Sequence, residues 1–397
     1  MSLLTDVSSE MLVYVMPLFL ANVLAASPSI IGLIEGIAEA AASFLKLASG
    51  AISDRTRRRR ALVGIGYGGS VASKALLLIA NSWPIVLAAR LGDRIGKGIR
   101  TSPRDALIAD STPAEARGVA FGLHRAMDSA GAVIGVAIAA AIVAMSQGAA
   151  ITLTAETFHL LVLLALVPGV LAIAVIAVGV RDVRAHQTET RADGPPGEVP
   201  GQPIRRLPSV DRFPRAFWLF VIASGLFALG NSSDAFLALR SQQLGVGVRD
   251  LLVMIVGFNV ANTLVSWPIG AWSDRIGRRS LLVAAWSIYA IAYAGFALAG
   301  SPGSVAILWI LYGSYYGVNE AVGRALVADL APGDLRASAY GILNTVVGLL
   351  VLPASVIAGL LWDRLAPSAP FWFGAACSVA GLGVLLLVAR PREAANT

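Results

Sequence analysis

Long apolar runs follow one another through this chain, parted by short stretches of Pro, Gly and charge. A helix needs about 20 mostly apolar residues to cross the hydrocarbon of a bilayer. By that measure the pattern predicts spans near 3–25, 29–52, 61–80, 83–109, 117–145 and 155–180. A second set follows near 214–242, 249–273, 280–299, 303–330, 336–362 and 369–390. The expected fold is an all-α membrane protein of 12 transmembrane helices in two six-helix bundles, over 1–180 and 214–397. Between them a 181–213 linker with PPGEVPGQP at its centre reads as an extended or disordered cytoplasmic connection.

One span departs from the apolar pattern. The stretch Trp83 to Asp110, wound at about 100° per residue, gathers Arg90, Asp93, Arg94, Lys97, Arg100, Arg104 and Asp105 into an arc of about 140°. Gly92 and Gly96 fall on the other side, where a neighbouring helix can come close. On a soluble protein such a stripe is ordinary wet surface. Composition decides against that reading: the chain of 397 residues is 56% hydrophobic and only 14% charged, with a mean hydropathy of +0.73, against about 25% charged for an average soluble domain. An ionisable residue at the bilayer centre costs roughly 2.5 to 3.5 kcal/mol, so seven facing lipid would cost on the order of 20. The stripe must face protein or a wet cavity.

Charge outside the stripe reports topology. The net charge of +7 comes largely from arginines in short loops, Arg55, Arg57, Arg58, Arg59 and Arg60 after the second span and Arg275, Arg278 and Arg279 after the eighth. The linker adds six more, while the loops near 26–28, 81–82, 146–154 and 300–302 carry no Lys or Arg. This bias places both termini and the linker in the cytoplasm, with Arg249 and Arg364 as exceptions. No nucleic-acid module is present. The single cysteine, Cys377, excludes an internal disulfide and a thiol metal cage. Met1 to Asp6 lacks the features of a cleavable signal, so the first helix is expected to be its own insertion signal.

An internal repeat supports the two-bundle reading. GAISDR at 50–55 returns as GAWSDR at 270–275, and ALIADSTPAEARGVAFG at 106–122 returns as ALVADLAPGDLRASAYG at 325–341, with eight identities in 17 positions. Ser8-Ser9-Glu10 is echoed by Ser232-Ser233-Asp234. Two like-oriented bundles around a midplane cavity form a rocker-type secondary transporter.

With these residues the chain resembles the major facilitator superfamily along essentially its whole length, and in motif pattern its bacterial drug:proton antiporter-like members. The signature is G-x-x-x-D-R-x-G-R-R after the second helix of each half. Gly270, Asp274, Arg275, Gly277, Arg278 and Arg279 match it in full; Gly50, Asp54, Arg55, Arg58 and Arg59 match with Arg57 in place of the second glycine. The resemblance implies a cytoplasmic latch here. Arg90 with the small residues after it resembles the proton-coupling motif of the fourth helix, although Asp93 and Arg94 stand where antiporters have Gln-Gly. Gly131-x-x-x-Gly135 resembles the antiporter motif of the fifth helix, with Val136 in place of its proline.

The halves differ inside. Under the offset of 219, Asp93, Gly96, Lys97 and Arg100 correspond to Tyr312, Tyr315, Tyr316 and Asn319, so one wall is ionic and the other aromatic. Such a cavity suits an amphiphilic solute. Asp6 and Glu10 share a face of the first helix, and Asp234 falls well inside its span. Glu35 and Glu39 repeat the spacing, with Lys46 on the same face as an expected counter-ion. In the fifth helix Arg117, His124 and Asp128 align with Gly131 and Gly135, and Arg125 lies about 80° away. Asp6, Glu10 and Asp128 are the candidate proton carriers, Arg90 and Arg94 the cations competing with the proton, and His124 a candidate relay. Glu35, Glu39, Asp93, Lys97, Arg100, Arg104, Arg125, Asp234, Tyr312, Tyr315, Tyr316 and Asn319 are the candidate solute contacts.

The reading that follows is a proton-coupled transporter in the bacterial inner membrane, a monomer without cofactor or metal, exporting a small amphiphilic or drug-like solute. Two alternatives stand beside it. One is a carrier of a small organic anion bound by Lys97, Arg100 and Arg104; the other is a lipid translocator or nontransporting sensor. No enzyme is expected, because three scattered histidines (His124, His159, His186) and one cysteine offer no metal site and no nucleophile motif.

Overall fold

Every element the computed structural model describes is helical, over residues 1–56, 59–113, 116–179, 212–332 and 335–388. Arg57, Arg58, position 180 and positions 181–211 of the expected linker lie outside the described residues, as do the side chains of Asp54, Arg55, Arg117 and Asp274. The first half comprises α1 (Ser2–Val13), α2 (Met16–Asn22), α3 (Pro28–Thr56), α4 (Arg59–Ala75), α5 (Trp83–Asp110), α6 (Arg117–Ser146) and α7 (Ala155–Gly179). The second comprises α8 (Arg215–Gly230), α9 (Ala235–Gln243), α10 (Val248–Ile276), α11 (Arg278–Leu298), α12 (Pro302–Leu330), α13 (Arg336–Arg364) and α14 (Ala369–Leu385). Because α1 with α2, and α8 with α9, each make one span, each half holds six.

Among the described residues eight spans are long and apolar enough to cross a membrane unaided. The remaining four depend on their neighbours. Charges interrupt α3 and α5, Tyr, Ser and Gly interrupt α12, and α14 is apolar but short. Packing covers them: α5 lies against both α3 and α4, and α12 against both α10 and α11. The halves meet along two seams, α3 with α13 and α6 with α10.

The pattern of apolar residues predicts an unbroken first helix in each half, and the structure corrects this. The first is interrupted at Tyr14 and Val15, where Pro17, in the first turn of α2, has no N–H for the helical ladder. The other stops at Gly230 and resumes at Ala235. Between them the short polar side chains of Asn231-Ser232-Ser233-Asp234 compete for the backbone, with Ala235 N–H donating to Ser233 Oγ at 3.3 Å. Hydropathy cannot register such a break, since both sides remain apolar.

Glycines set three close approaches. A methyl group added at Gly96 would stand 2.5 Å from Gly66 O on α4, and one at Gly135 would stand 2.6 Å from Val7 O on α1. Both distances are below any real contact, so only glycine lets these backbones touch. On the seam between halves, a methyl at Gly359 would stand 2.5 Å from Ser29 Cα.

That seam belongs to a closed end. There the Asn22 amide donates to Gln242 Oε1 at 3.0 Å, Gln242 Nε2 donates to Asn22 Oδ1 at 2.7 Å and to Ile151 O at 2.6 Å, and Val248 N–H donates to Ala150 O at 3.1 Å. Ser29 N–H also donates to Asp363 Oδ2 at 3.0 Å. At the arginine-rich end one set of bonds lies within each half and repeats at the offset of the internal duplication. Arg59 pairs with Asp110 and donates to Ala106 O, and Arg278 pairs with Asp329 and donates to Ala325 O.

Candidate functional site

Between the halves lies a hollow of about 510 Å³. From the first half it is lined by Asp6 and Glu10 of α1, Tyr14 at the break after it, Lys46 of α3, Lys97, Arg100, Arg104 and Asp105 of α5, and Arg125 and Asp128 of α6. Asp234 at the break before α9, Phe258, Asn259, Asn262 and Thr263 of α10, and Tyr316 and Arg324 of α12 line it from the second. Side clefts between the bundles continue it on either flank, one of about 570 Å³ sharing Lys46, Thr101 and Arg324, the other of about 420 Å³ sharing Arg104, Asp105, Arg125, Asp128 and Arg324.

The acidic corner follows from helix contact. Gly131 and Gly135 let α1 lie directly on α6, where Asp6 Cβ and Glu10 Cβ stand 2.9 and 3.1 Å from the positions a methyl would take. The two glycines that resemble an antiporter motif thus have a local steric task, placing two carboxylates of α1 beside α6. On that helix Asp128 accepts from Ser2 Oγ and lies 3.2 Å from His124 Nδ1. His124 Nε2 in turn lies 3.9 Å from Asp105 Oδ1, so His124 bridges two acids at the rim.

The charged stripe of α5 divides. Its first part turns into the bundle: Arg90 donates to Glu35 at 2.7 Å, Arg94 Nε stands 3.0 Å from Glu39 Oε1, and Asp93 lies 4.0 Å from Lys74 of α4. These residues are absent from the lining of the hollow. In this state Arg90 and Arg94 pair with acids of α3 while still acting on Glu10 through space, and Glu35, Glu39 and Asp93 stand in ion pairs within the first bundle. Because α3 and α5 pack along their length, guanidinium groups one helix away are the near partners of these carboxylates, while Lys46 lines the hollow and acts on Glu39 from farther off. The second part of the stripe does face the hollow, with its hydrogen bonds already committed in part. Arg100 donates to Ser70 at 2.7 Å and lies 4.4 Å above the Tyr67 ring, and Arg104 holds Asp105 at 2.9 Å.

On the other wall the tyrosines part company. Tyr316 is 38% exposed and lines the hollow, whereas Tyr315 is 1% exposed within a cluster of Phe227, Tyr289 and Tyr312. Asn319 accepts from Trp286 Nε1 at 2.9 Å. Tyr315 and Asn319 are therefore packing residues in this state, because α11 covers the side of α12 they occupy. Tyr312 is buried too, yet its hydroxyl reaches Asp234 at 2.6 Å.

Sequence reasoning passes over Lys74, whose Nζ donates to Ser8 and Ser9 of α1, each at 2.9 Å. A lone lysine inside a predicted span was the available signal. It also passes over Asp110 and Asp329, visible as a repeated acid within the duplicated segment. The polar stripe Asn259, Asn262 and Thr263 gave no signal beyond its helical spacing. Among the described residues no group of His, Cys, Asp and Glu could hold a metal ion.

A charged hollow between two like-oriented helical bundles, shut at one end by cross-bundle hydrogen bonds, defines a membrane transporter rather than an enzyme. The model of the Major Facilitator Superfamily matches residues 1–255 and 235–397, and the chain belongs to that superfamily. An uncharacterised MFS-type transporter of Methanocaldococcus jannaschii is 34% identical over 393 residues, covering 97% of this chain and 92% of that one. The class C tetracycline resistance protein of Escherichia coli is 33% identical over 139 residues, 34% of this chain and 33% of its own. Among solved structures, a D-xylose–proton symporter superposes with a TM-score of 0.77 at 14% identity, covering 98% of this chain and 96% of that one. A nucleoside transporter does so with a TM-score of 0.74 at 14% identity over the same shares. At such identity these two show the fold alone.

Proposed function

We propose that the protein is a proton-coupled carrier that moves a small amphiphilic or drug-like solute, outward from a bacterial cytoplasm, with the termini and the 181–213 linker on the cytoplasmic side and the 1–180 and 214–397 bundles rocking about the hollow. The observation that carries this reading is the acidic corner: Asp6, Glu10 and Asp128 line the hollow together with Lys97. A carboxylate whose surroundings change when the bundles rock can load a proton on one side and release it on the other. Opposite it, Tyr316, Phe258 and the amides of α10 give apolar faces and hydrogen bonds to the same solute. The partial match to a tetracycline resistance protein supports a drug-like solute.

An organic-anion carrier is supported less well, since Arg100 and Arg104 of the expected triad already serve Ser70, Tyr67 and Asp105. Proteoliposomes with an imposed pH gradient and a panel of solutes test the proposal. The wild type is expected to accumulate at least one solute only under the gradient. Glu10→Gln and Asp128→Asn are expected to abolish that accumulation and retain solute exchange without a gradient. Gradient-independent accumulation in the wild type, or variants that accumulate solute as well as the wild type, would overturn it.

A further inference from the structure

Most carboxylates described in the first bundle lie within reach of a cation, but one carboxylate of the second has only a tyrosine hydroxyl. Asp234 sits at the broken junction of α8 and α9 and is the residue before the first turn of α9, yet its side chain makes no capping bond to that helix. It lines the hollow instead. Its hydrogen bond comes from Tyr312, and among the described residues it makes no ion pair. The charged groups acting most strongly on it, Glu10, Glu35 and Glu39, share its sign. Of the hollow's cations, Lys46, Lys97, Arg100, Arg104 and Arg125 stand on the first bundle, and Arg324 lies eight residues beyond Tyr316 on α12, about 12 Å along the helix.

Three rings of the lining gather about Tyr312, the hydrogen-bond donor to Asp234: Phe258 stacks on Tyr312 at 5.5 Å, Tyr316 lies 6.4 Å from it, and Tyr14 reaches it through Trp309, 6.2 Å from Tyr312. They are held in place by edge contacts, Tyr14 against Trp309 at 6.3 Å and Phe258 against Tyr316 at 5.8 Å. A buried carboxylate that is ionised without a counter-ion, with aromatic rings around it, is satisfied by a positive charge of low hydration. Such a charge gains from the carboxylate by Coulomb attraction and from the rings by their quadrupoles. We propose that Asp234, with the rings of Tyr14, Phe258 and Tyr316, forms a subsite for the cationic group of an alkylated or arylated organic cation. The inference rests on the transporter reading above and adds the charge and class of the solute. It gives the two bundles separate tasks, the proton on the first and the solute's cation on the second.

Equilibrium dialysis of radiolabelled tetraphenylphosphonium against the purified full-length protein in detergent tests this, with tetraphenylborate as the charge-reversed probe of the same shape. The wild type is expected to bind the phosphonium saturably and more tightly than the borate. Asp234→Asn is expected to weaken phosphonium binding about tenfold or more, Asp234→Glu to recover most of it, and Phe258→Leu to weaken it about threefold to tenfold. Unchanged phosphonium affinity in Asp234→Asn, or tighter binding of the borate by the wild type, would overturn the inference. If Asp234→Asn does not elute as a folded monodisperse protein, Phe258→Leu decides, and unchanged affinity there overturns it equally. Binding is read with no gradient present, so a protein that fails to couple flux to protons still answers this question.

Discussion

Arg90 and Glu35 meet at 2.7 Å with side chains only 5% and 4% exposed, and each keeps a further buried polar atom, Arg90 Nε and Glu35 Oε1, without a partner. Such a pair is costly to break and of little net value to keep. Arg90→Ala is expected to lower stability by about 3–5 kcal/mol, whereas the double change Arg90→Met with Glu35→Leu should cost far less; thermal unfolding in one detergent compares them. If the double variant is no better than the single one, the pair contributes more than its own mutual neutralisation. At this scale the sequence told which side chains avoid lipid, because seven charges on one helix cannot face hydrocarbon. It did not tell their partners. A helical wheel gives a direction around one axis, and whether Arg94 meets Glu39 or Asp6 depends on which helix lies in that direction.

The helices show the same division between what a pattern encodes and what contact decides. Span limits were legible where charge or proline marks them, as at Trp83–Asp110 and Arg336–Arg364, against expected limits of 83–109 and 336–362. The interruptions at Tyr14 and at Asn231 to Asp234 were not, because they leave the apolar count unchanged. Close approach at Gly131 and Gly135 gives a prediction for elements as units. Gly135→Leu should force α1 from α6, since even a methyl there meets Val7 O at 2.6 Å, whereas Gly131→Ala should cost about 1–3 kcal/mol by overpacking. Unfolding curves measure both. Equal, small effects would mean that α1 is free to shift along α6. The duplicated rim makes a second prediction: Arg59→Ala and Arg278→Ala should lower stability by similar amounts of at most about 1 kcal/mol, since both pairs are partly exposed. A larger loss for one alone would show that the halves no longer use the rim alike.

For the whole molecule, the twelve-span plan was legible because the chain repeats itself, and the direction in which the hollow is shut was not, because a sequence has no conformational state. The closed end rests on Asn22, Gln242, Ser29 and Gly359. Gly359→Leu should pry that end open. In a background with Cys377→Ser and a reporter at the buried Ala26→Cys, a membrane-impermeant maleimide added on that side should then react several-fold faster. Unchanged labelling would mean that other contacts keep the end shut.

One consequence follows from how ionised groups are shared out around the hollow. Nine of those in its lining, from Asp6 to Asp128, ride on the first bundle, and only Asp234 and Arg324 ride on the second. When the bundles tilt, the first carries five cations against at most four carboxylates through the membrane field, a net positive charge, whereas the one acid and one arginine of its twin cancel. The tilt is then itself a small electrical event, so voltage biases which mouth stands open, and a solid-supported membrane should register a transient displacement current before any solute is released.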